Sequence, residues 1–521
     1  MSFLKRSSIC LCTLFVLQLL ASNAPGRAGR GIAVSTRGQD DTVLQRCIGG
    51  DAQNPRDRVA NFEPYAAVNP RNSENLAAVW MASNNNYNHR YVIRVAVSFD
   101  GGRQWTRPQT LPFTACSGGE RGLDVATDSW VAFGPDGLLY VSAQTYAGIA
   151  GGHNGVQHIT VITSPDGGRT WGKASGPIVD KGPRVKFDNS YIIADPVHPL
   201  TAYVLTSRYD FKDEVLKTLT PQQISKGNDP EALLQDLSRP KPVRGYRATT
   251  VAMAKTNDGG KTWSPQKSIT PLVTGALADF PQMVIDPRTD RLSVFYSGGV
   301  NRGGIYMVSS SDMGANWTEP LSVSEYVPVT SDLHPFRGGT LNVAPDIIHT
   351  AIDPRSGRLY VVFSDGRFTH GNYLQVGITS SSDGGYSWTK PVPVSRRGDQ
   401  SAWMPAIAVG RQGIVAVTYF DGRGFTTSPE GRPELNLWRK TFSLDSVGHL
   451  TRENETLVDH FDLRGKPGES GFLADYVAVL AVGDSFHSVY ARTAPAGAER
   501  TGTKMGSSQT GDVSTQIFFS F

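Results

Sequence analysis

Pairs of short apolar stretches recur along the chain and predict β-hairpins. Each pair is joined by a turn that often contains Asp-Pro or Pro-Asp-Gly, and such turns are typical of hairpin connections. Seven such hairpins occupy residues 63–82, 130–143, 190–207, 280–297, 347–364, 404–420 and 473–491. A regular series of short strands separated by turns indicates an all-β protein built from repeated units.

A second motif, Ser/Thr-x-Asp-x-Gly-x-x-Trp, appears five times, at residues 98–105, 164–171, 256–263, 310–317 and 381–388. Five of the nine tryptophans lie in these copies, which excludes a chance pattern. The Asp-x-Gly segment favours a tight turn, because glycine adopts positive φ at low cost and the Asp side chain accepts backbone N–H groups. We therefore expect the Asp and Trp of each copy to stabilise a hairpin rather than to take part in catalysis.

These motifs resemble the Asp boxes of the sialidase and bacterial-neuraminidase-repeat superfamily. In that superfamily each Asp box joins the two outer strands of a β-propeller blade. The resemblance covers nearly the whole chain after residue 24 and implies an all-β fold, a β-propeller of four-stranded blades. The seven hairpins favour seven blades, with six as the alternative. Only one further strand segment, residues 514–521, follows the last hairpin, so we expect a segment near residues 31–47 to add its fourth strand and close the ring.

The chain of 521 residues is organised as a short N-terminal region and one large domain. Lys5 and Arg6 precede an apolar run and then small residues, which is typical of a secretory signal peptide over residues 1–24. The alternative is an uncleaved N-terminal anchor. Residues 25–62 form an N-terminal segment, and residues 63–521 form the propeller, in which residues 210–244 make a helix-prone insertion. We expect the mature protein to be secreted and monomeric, without a membrane span.

Charge and cysteine content narrow the possible partners. The formal net charge is +4, and no basic stripe stands out, so we expect no nucleic-acid partner. Cys47 and Cys116 remain after the signal peptide and predict one disulfide in an oxidising compartment, with two buried thiols as the alternative. Two cysteines alone do not make a structural zinc site. No histidine pair has helical zinc spacing, and the chain has neither a Gly-x-Ser-x-Gly elbow nor a phosphate loop.

Polar residues gather at one face of the predicted ring, where first strands start and second strands end. The first strands begin near Glu63, Asp128, Asp188, Asp279, Asp346, Trp403, Asp475 and Tyr476, and the second strands end near Asn84, Gln144, Tyr146, Arg208, Tyr209, Tyr296, Arg367, Arg423 and Arg492. Charges beside apolar strands need partners. They either pair with one another around the channel or form a site for an anionic or polyhydroxylated ligand. An acidic ring of this kind can also hold a structural calcium ion.

The resemblance to sialidases implies roles for several of these residues. In that family three arginines bind the substrate carboxylate, a tyrosine assisted by a glutamate is the nucleophile, and an aspartate is the acid/base, an exception to the usual pair of carboxylates. Carried over to this chain, the substrate-binding arginines are Arg208, Arg367, Arg423 and Arg492, and the catalytic residues are Tyr476 as nucleophile, Glu63 or Asp346 as its base, and Asp128 as acid. The first blade departs from the family, because residues 62–65 read Phe-Glu-Pro-Tyr where the family carries Arg-Ile/Leu-Pro.

These observations predict a secreted glycoside hydrolase of the exo-α-sialidase type that cleaves terminal sugars from a glycan or glycoconjugate. The alternative is a non-catalytic propeller that binds glycan or protein, and a third interpretation is another glycosidase or a lyase on the same scaffold. Apart from the calcium ion, we expect no cofactor and no metal. An enzyme requires that the acid, the nucleophile and the clamp share one recessed pocket.

Overall fold

A computed structural model confirms the seven-bladed β-propeller. It describes residues 31–35, 41–49, 59–84, 90–148, 156–180, 185–211, 246–271, 276–300, 303–327, 329, 347–395, 401–422, 434–462, 474–483, 485–493 and 515–521. The predicted signal peptide and most of the helix-prone insertion lie outside these residues. Each blade is an antiparallel sheet of four strands. The first strands of neighbouring blades contact one another in an unbroken series, so they surround the central axis.

The first three blades follow the chain in order. Their strands are β2 (Val59–Val68), β3 (Leu76–Asn84), β4 (Val92–Ser98) and β5 (Gln109–Thr110); β6 (Val125–Phe133), β7 (Leu139–Tyr146), β8 (Gln157–Ser164) and β9 (Ser175–Asp180); and β10 (Val185–Ala194), β11 (Ala202–Phe211), β12 (Tyr246–Thr256) and β13 (Lys267–Ser268). The first strand of blade one thus begins at Val59, ahead of the expected boundary at Glu63.

The next three blades repeat this arrangement. Their strands are β14 (Ala276–Ile285), β15 (Leu292–Val300), β16 (Gly304–Ser310) and β17 (Leu321–Glu325); β18 (His349–Ile352), β19 (Leu359–Asp365), β20 (Gln375–Ser381) and β21 (Val392–Pro393); and β22 (Ala402–Val409), β23 (Val415–Asp421), β24 (Glu434–Leu444) and β25 (Leu450–Asp462). Blade six has no Asp box, and Asp445 forms its outer turn instead by accepting the backbone N–H groups of Val447 and His449.

The seventh blade joins the two ends of the chain. Its strands are β26 (Ala478–Val482), β27 (Ser485–Thr493), β28 (Thr515–Phe519) and, as the outermost strand, β1 (Ile32–Ala33). Ile32 pairs with Phe519. The hydroxyl of Thr515 also accepts the N–H of Asn61 at 2.8 Å and donates to the Asn61 carbonyl, which links blade seven to blade one. The ring therefore closes through contacts between residues at opposite ends of the sequence.

The helix α1 (Thr42–Ile48) is fixed to the first blade. Asp41 caps its N-terminus by accepting the Leu44 N–H at 2.9 Å, and its other oxygen lies 3.0 Å from the buried Arg94 guanidinium. The predicted disulfide between Cys47 and Cys116 is confirmed and holds the end of this helix. Within the described residues, no helix has the length and apolar character needed to cross a membrane.

The five Asp boxes are structural, as predicted. In the first copy the Ser98 hydroxyl accepts the Gly102 N–H at 2.8 Å, Asp100 accepts the Gln104 N–H at 2.8 Å, and Trp105 donates to the Gly102 carbonyl at 3.0 Å. Gly102 has φ +90°, a conformation that glycine alone adopts readily. The outer hairpins are thus closed by their own side chains, on the face away from the first-strand starts.

A β-bulge recurs in the first strand of five blades. The register shifts after Phe62, Thr127, Asp188, Asp279 and Trp403. The residue that follows each shift has positive φ, and these five residues, here called the bulge row, are Glu63, Asp128, Asn189, Phe280 and Met404. In three of the blades the next residue is a proline, which a bulge tolerates because the missing N–H interrupts no ladder. The bulge row places one side chain per blade at equivalent positions beside the axis.

Candidate functional site

Four rings pack together near the axis and are here called the aromatic floor. They belong to Tyr65, Trp130 and Tyr191, each two residues after a bulge-row residue, and to His349 of β18. The ring of Trp130 lies 3.5 Å from Tyr65, 4.9 Å from Tyr191 and 6.0 Å from His349, centroid to centroid. The spacings fit stacked and tilted aromatic packing. Rings from four blades therefore pack against one another near the axis.

Tyr476 stands at the edge of this floor. Its ring lies 5.3 Å from that of Trp130, and the side chain is buried. The Tyr476 hydroxyl lies 3.5 Å from Glu63 Oε2 and 3.4 Å from the Ser129 carbonyl, at the long limit of hydrogen bonding. Tyr476, just before the first strand of blade seven, thus contacts Glu63 and the residue that follows Asp128, which lie at the bulges of blades one and two.

Burial and neighbouring acids raise the pKa of both carboxyl groups in this cluster. Burial, followed by repulsion from Asp128, Asp475 and Asp188, holds the pKa of Glu63 well above its usual range. Burial and then Asp188 raise the pKa of Asp128 to about 7. Like charges in a low-dielectric site cannot all ionise, so a proton is retained among these groups near neutral pH.

The hydroxyl of Tyr476 is also affected by its surroundings. Burial, and after it the charge of Glu63, raises the pKa of Tyr476 well above the usual value for a phenol. The free phenol is therefore neutral at physiological pH, and it becomes reactive only if a base accepts its proton as it attacks. Glu63, the carboxyl group nearest to its hydroxyl among the described contacts, is positioned to be that base.

One recess connects these groups. A pocket of about 340 Å³, space open to solvent included, is lined by Asp128, Trp130, Asn189, Ser190, Tyr191, Phe280, Pro281, Gln282, Ile347, His349 and Tyr476. Glu63 lies behind Tyr476 rather than on the pocket wall. The arrangement places an acid and a phenol on the pocket wall and a buried carboxyl group behind the phenol.

The predicted arginines lie elsewhere. Arg208 binds Asp210 at 3.1 Å, Arg367 binds Asp365 at 2.6 Å, and Arg492 binds Asp459 at 2.6 Å. None of the three lines the pocket, and no arginine is among the described residues that do. Their guanidinium groups are instead held in ion pairs within a blade or between blades. Arg423 and Asp346 lie outside the described residues.

Sequence reasoning missed the floor and part of the wall. Tyr65, Trp130, Tyr191, Asn189 and Phe280 were not among the predicted site residues. A short pattern could have identified them, because Glu-Pro-Tyr at 63–65, Asp-Ser-Trp at 128–130 and Asn-Ser-Tyr at 189–191 recur at the start of successive blades. The pattern marks the bulge and the aromatic residue two positions later.

The described part of the chain contains no group of three or more His, Cys, Asp or Glu side chains placed to hold a metal ion. The structural calcium ion that the acidic ring suggested stays a prediction. The raised pKa values of Glu63 and Asp128 reflect burial and mutual repulsion.

Comparison with solved structures finds sialidases and arabinan-degrading enzymes. A Hadza microbial sialidase is 16% identical, with a TM-score of 0.43 over 82% of this chain and 68% of the other. A Penicillium chrysogenum α-L-arabinanase complexed with arabinobiose is 16% identical, with a TM-score of 0.43 over 83% and 98%. A leech intramolecular trans-sialidase is 12% identical, with a TM-score of 0.39 over 89% and 67%. The propeller assignment itself rests on the strand pairing described above.

No protein-family model matches the sequence, and the search of curated proteins found no match.

Proposed function

We propose that this chain is an exo-acting glycoside hydrolase whose reaction takes place in the pocket between Asp128 and Tyr476. The observation that carries the proposal is that these two side chains line one recess, while Glu63 lies 3.5 Å behind the Tyr476 hydroxyl. An acid, a nucleophile and a base for that nucleophile are the groups that a double-displacement glycosidase requires. The exo mode of action is what the Asp-box resemblance to sialidases implies.

The proposed reaction proceeds in two steps. In the first, Tyr476 Oη attacks the anomeric carbon and passes its proton to Glu63, while Asp128 protonates the departing glycosidic oxygen and the bond to the leaving group breaks. In the second, Asp128 accepts a proton from water as the water attacks the glycosyl–tyrosine carbon, and Tyr476 leaves and recovers its proton from Glu63. Asp128 is suited to the acid role because its pKa of about 7 keeps it protonated in mildly acidic solution.

The proposal takes one of two forms, a sialidase that acts on an acidic sugar or a glycosidase that acts on a neutral sugar. An exo-α-sialidase, as the Asp-box resemblance implies, requires cations for the substrate carboxylate. Arg208, Arg367 and Arg492 are each bound to an aspartate, which leaves Arg423 as the remaining member of the predicted clamp. We also propose that the protein acts outside the cytoplasm, because the Cys47–Cys116 disulfide is typical of an oxidising compartment.

The test is hydrolysis of fluorogenic aryl glycosides by the purified protein. The panel contains an α-sialoside, an α-L-arabinofuranoside and a β-D-galactoside. We expect release from at least one of them, lowered by a factor of about 10²–10⁴ in Asp128→Asn and in Tyr476→Phe. The matched control is Tyr490→Phe, because Tyr490 is also a buried tyrosine that donates to a carboxylate, Asp459, and does not line the pocket.

Two outcomes contradict the proposal. Equal rates in Tyr476→Phe and in the control would remove Tyr476 from the chemistry. Binding of a glycan without release from any aryl glycoside would favour the non-catalytic, glycan-binding propeller.

A further inference from the structure

Asn189 carries a buried amide nitrogen without a hydrogen-bond partner among the described residues. This Nδ2 is shielded from solvent and makes no hydrogen bond to them, although the residue lines the pocket. A buried donor that is left unpaired lowers stability, by about 1–3 kcal/mol in typical cases. The residue also sits at φ 58°. An unpaired polar group that lowers stability and lies at a pocket wall is a candidate for contact with a ligand.

The position of Asn189 in the fold relates it to the proposed acid. Asn189 is the bulge-row residue of blade three, and Asp128 is that of blade two. Each of these residues follows the register shift of a first strand, so the two side chains enter the channel mouth at equivalent heights. A substrate placed for proton transfer from Asp128 therefore lies beside Asn189.

The next member of the row adds an apolar surface. Phe280 is the bulge-row residue of blade four, lines the same pocket and is partly exposed. An aromatic ring presents an apolar face, which suits the C–H face of a sugar ring. An amide beside such a face suits a hydroxyl, because the amide can donate as well as accept.

We infer that Asn189 and Phe280 hold the terminal sugar ring, with the Asn189 amide bound to one ring hydroxyl and Phe280 packed against the ring face. This assignment rests on the proposed function and adds its specificity-determining residues. The ligand chemistry is a polyhydroxylated ring, whether it comes from a neutral or an acidic sugar.

The experiment measures binding rather than turnover. Titration calorimetry with L-arabinose, D-galactose and N-acetylneuraminic acid identifies the sugar that binds wild type best, and that sugar is then compared with its monodeoxy analogues. We expect one analogue to bind wild type about tenfold more weakly. Asn189→Gly should bind the parent sugar about tenfold more weakly and should no longer distinguish it from that analogue. Phe280→Gly should weaken the parent and every analogue by a similar factor.

The matched control is Met404→Gly. Met404 is the bulge-row residue of blade six and has positive φ, but it does not line the pocket. Glycine keeps the left-handed backbone accessible in all three variants. We therefore expect the Tm of Asn189→Gly not to fall, whereas Met404→Gly loses a buried side chain, lowers Tm and leaves sugar affinity unchanged.

The outcomes separate this inference from the proposed hydrolase. If no aryl glycoside is hydrolysed but Asn189→Gly loses its hydroxyl discrimination, the hydrolase proposal fails and the binding assignment stands. If hydrolysis is found and Asn189→Gly binds each analogue as wild type does, the assignment of Asn189 is overturned. It is also overturned if wild type binds none of the three sugars.

Discussion

The chemistry of the pocket depends on the ionisation of its carboxyl groups, because a buried site accommodates few negative charges. Glu63 and Asp128 lie in a region shielded by aromatic rings, and Asp188 and Asp475 add further negative potential. Ionising every carboxyl group there would require charge burial without compensation. The protein therefore retains protons near neutral pH at positions where isolated carboxyl groups would have lost them.

This retention predicts the pH dependence of activity. If Asp128 is the general acid, its protonated form is the active one, so kcat/KM should fall about tenfold per pH unit above its pKa of about 7. The rate should also fall in acid, because protonation of Glu63, whose pKa is raised, removes the base for Tyr476. Lys186 lowers the pKa of Asp128, and it forms an ion pair with Asp188 at 3.2 Å. Lys186→Met should therefore move the alkaline limb to higher pH. A pH–rate profile of both proteins checks this, and an unmoved limb would assign it to another group.

Two local backbone features shape each blade, the Asp box and the β-bulge. The Asp box closes the outer hairpin, and the bulge turns the first strand so that one side chain enters the channel mouth. The Asp box is strongly encoded in sequence, since in the first copy Ser98, Asp100 and Trp105 each make a defined contact within the turn. The bulge is weakly encoded, because its positive φ occurs at Glu, Asp, Asn, Phe and Met alike.

The Asp box gives a stability prediction. A Cβ at Gly102 would lie 2.4 Å from the Phe519 ring, and φ there is +90°. Gly102→Ala should therefore lower the free energy of unfolding by about 2–4 kcal/mol, since strain and overpacking add. Gly122 has φ +89° with open space around its Cβ position. Gly122→Ala should thus show the strain alone, about 1 kcal/mol. Urea titration of both variants measures the difference, and equal losses would mean that Phe519 moves aside without cost.

At the scale of the whole molecule, repetition explains what could be predicted. Seven hairpins and five Asp boxes predicted the blade number and the strands, because each repeat contains the same short-range signals. The pocket arises from contacts between repeats, and short-range signals do not encode these. Tyr476 and Glu63 were predicted individually, but their separation of 3.5 Å depends on ring closure. The arginines were predicted to bind the substrate from their residue type and their position at strand ends. The three that the structure describes are instead bound to aspartates.

The disulfide that joins helix α1 to the first blade gives a prediction about the stability of the whole molecule. The Cys47–Cys116 disulfide encloses a separation of 69 residues and ties α1 to the first blade. Removing such a cross-link typically lowers the free energy of unfolding by about 2–5 kcal/mol. Cys47→Ser combined with Cys116→Ser should therefore lower Tm and leave sugar hydrolysis at 25 °C unchanged, because neither cysteine lines the pocket. Thermal unfolding monitored by circular dichroism, with and without reductant, checks this, and a Tm equal to that of wild type would contradict it.

The pairing of Ile32 with Phe519 has a consequence for the time course of folding. These residues lie in the first and the last strand of the described chain, so their contact spans nearly all of it. Blades one to six form from local hairpins as they emerge during synthesis, whereas blade seven must wait until residues 515–519 have been made. Contacts of high sequence separation form late, because they bear the largest loss of chain entropy. Until then the nascent protein is an open arc with two exposed strand edges, and its need for chaperones should be concentrated in that interval.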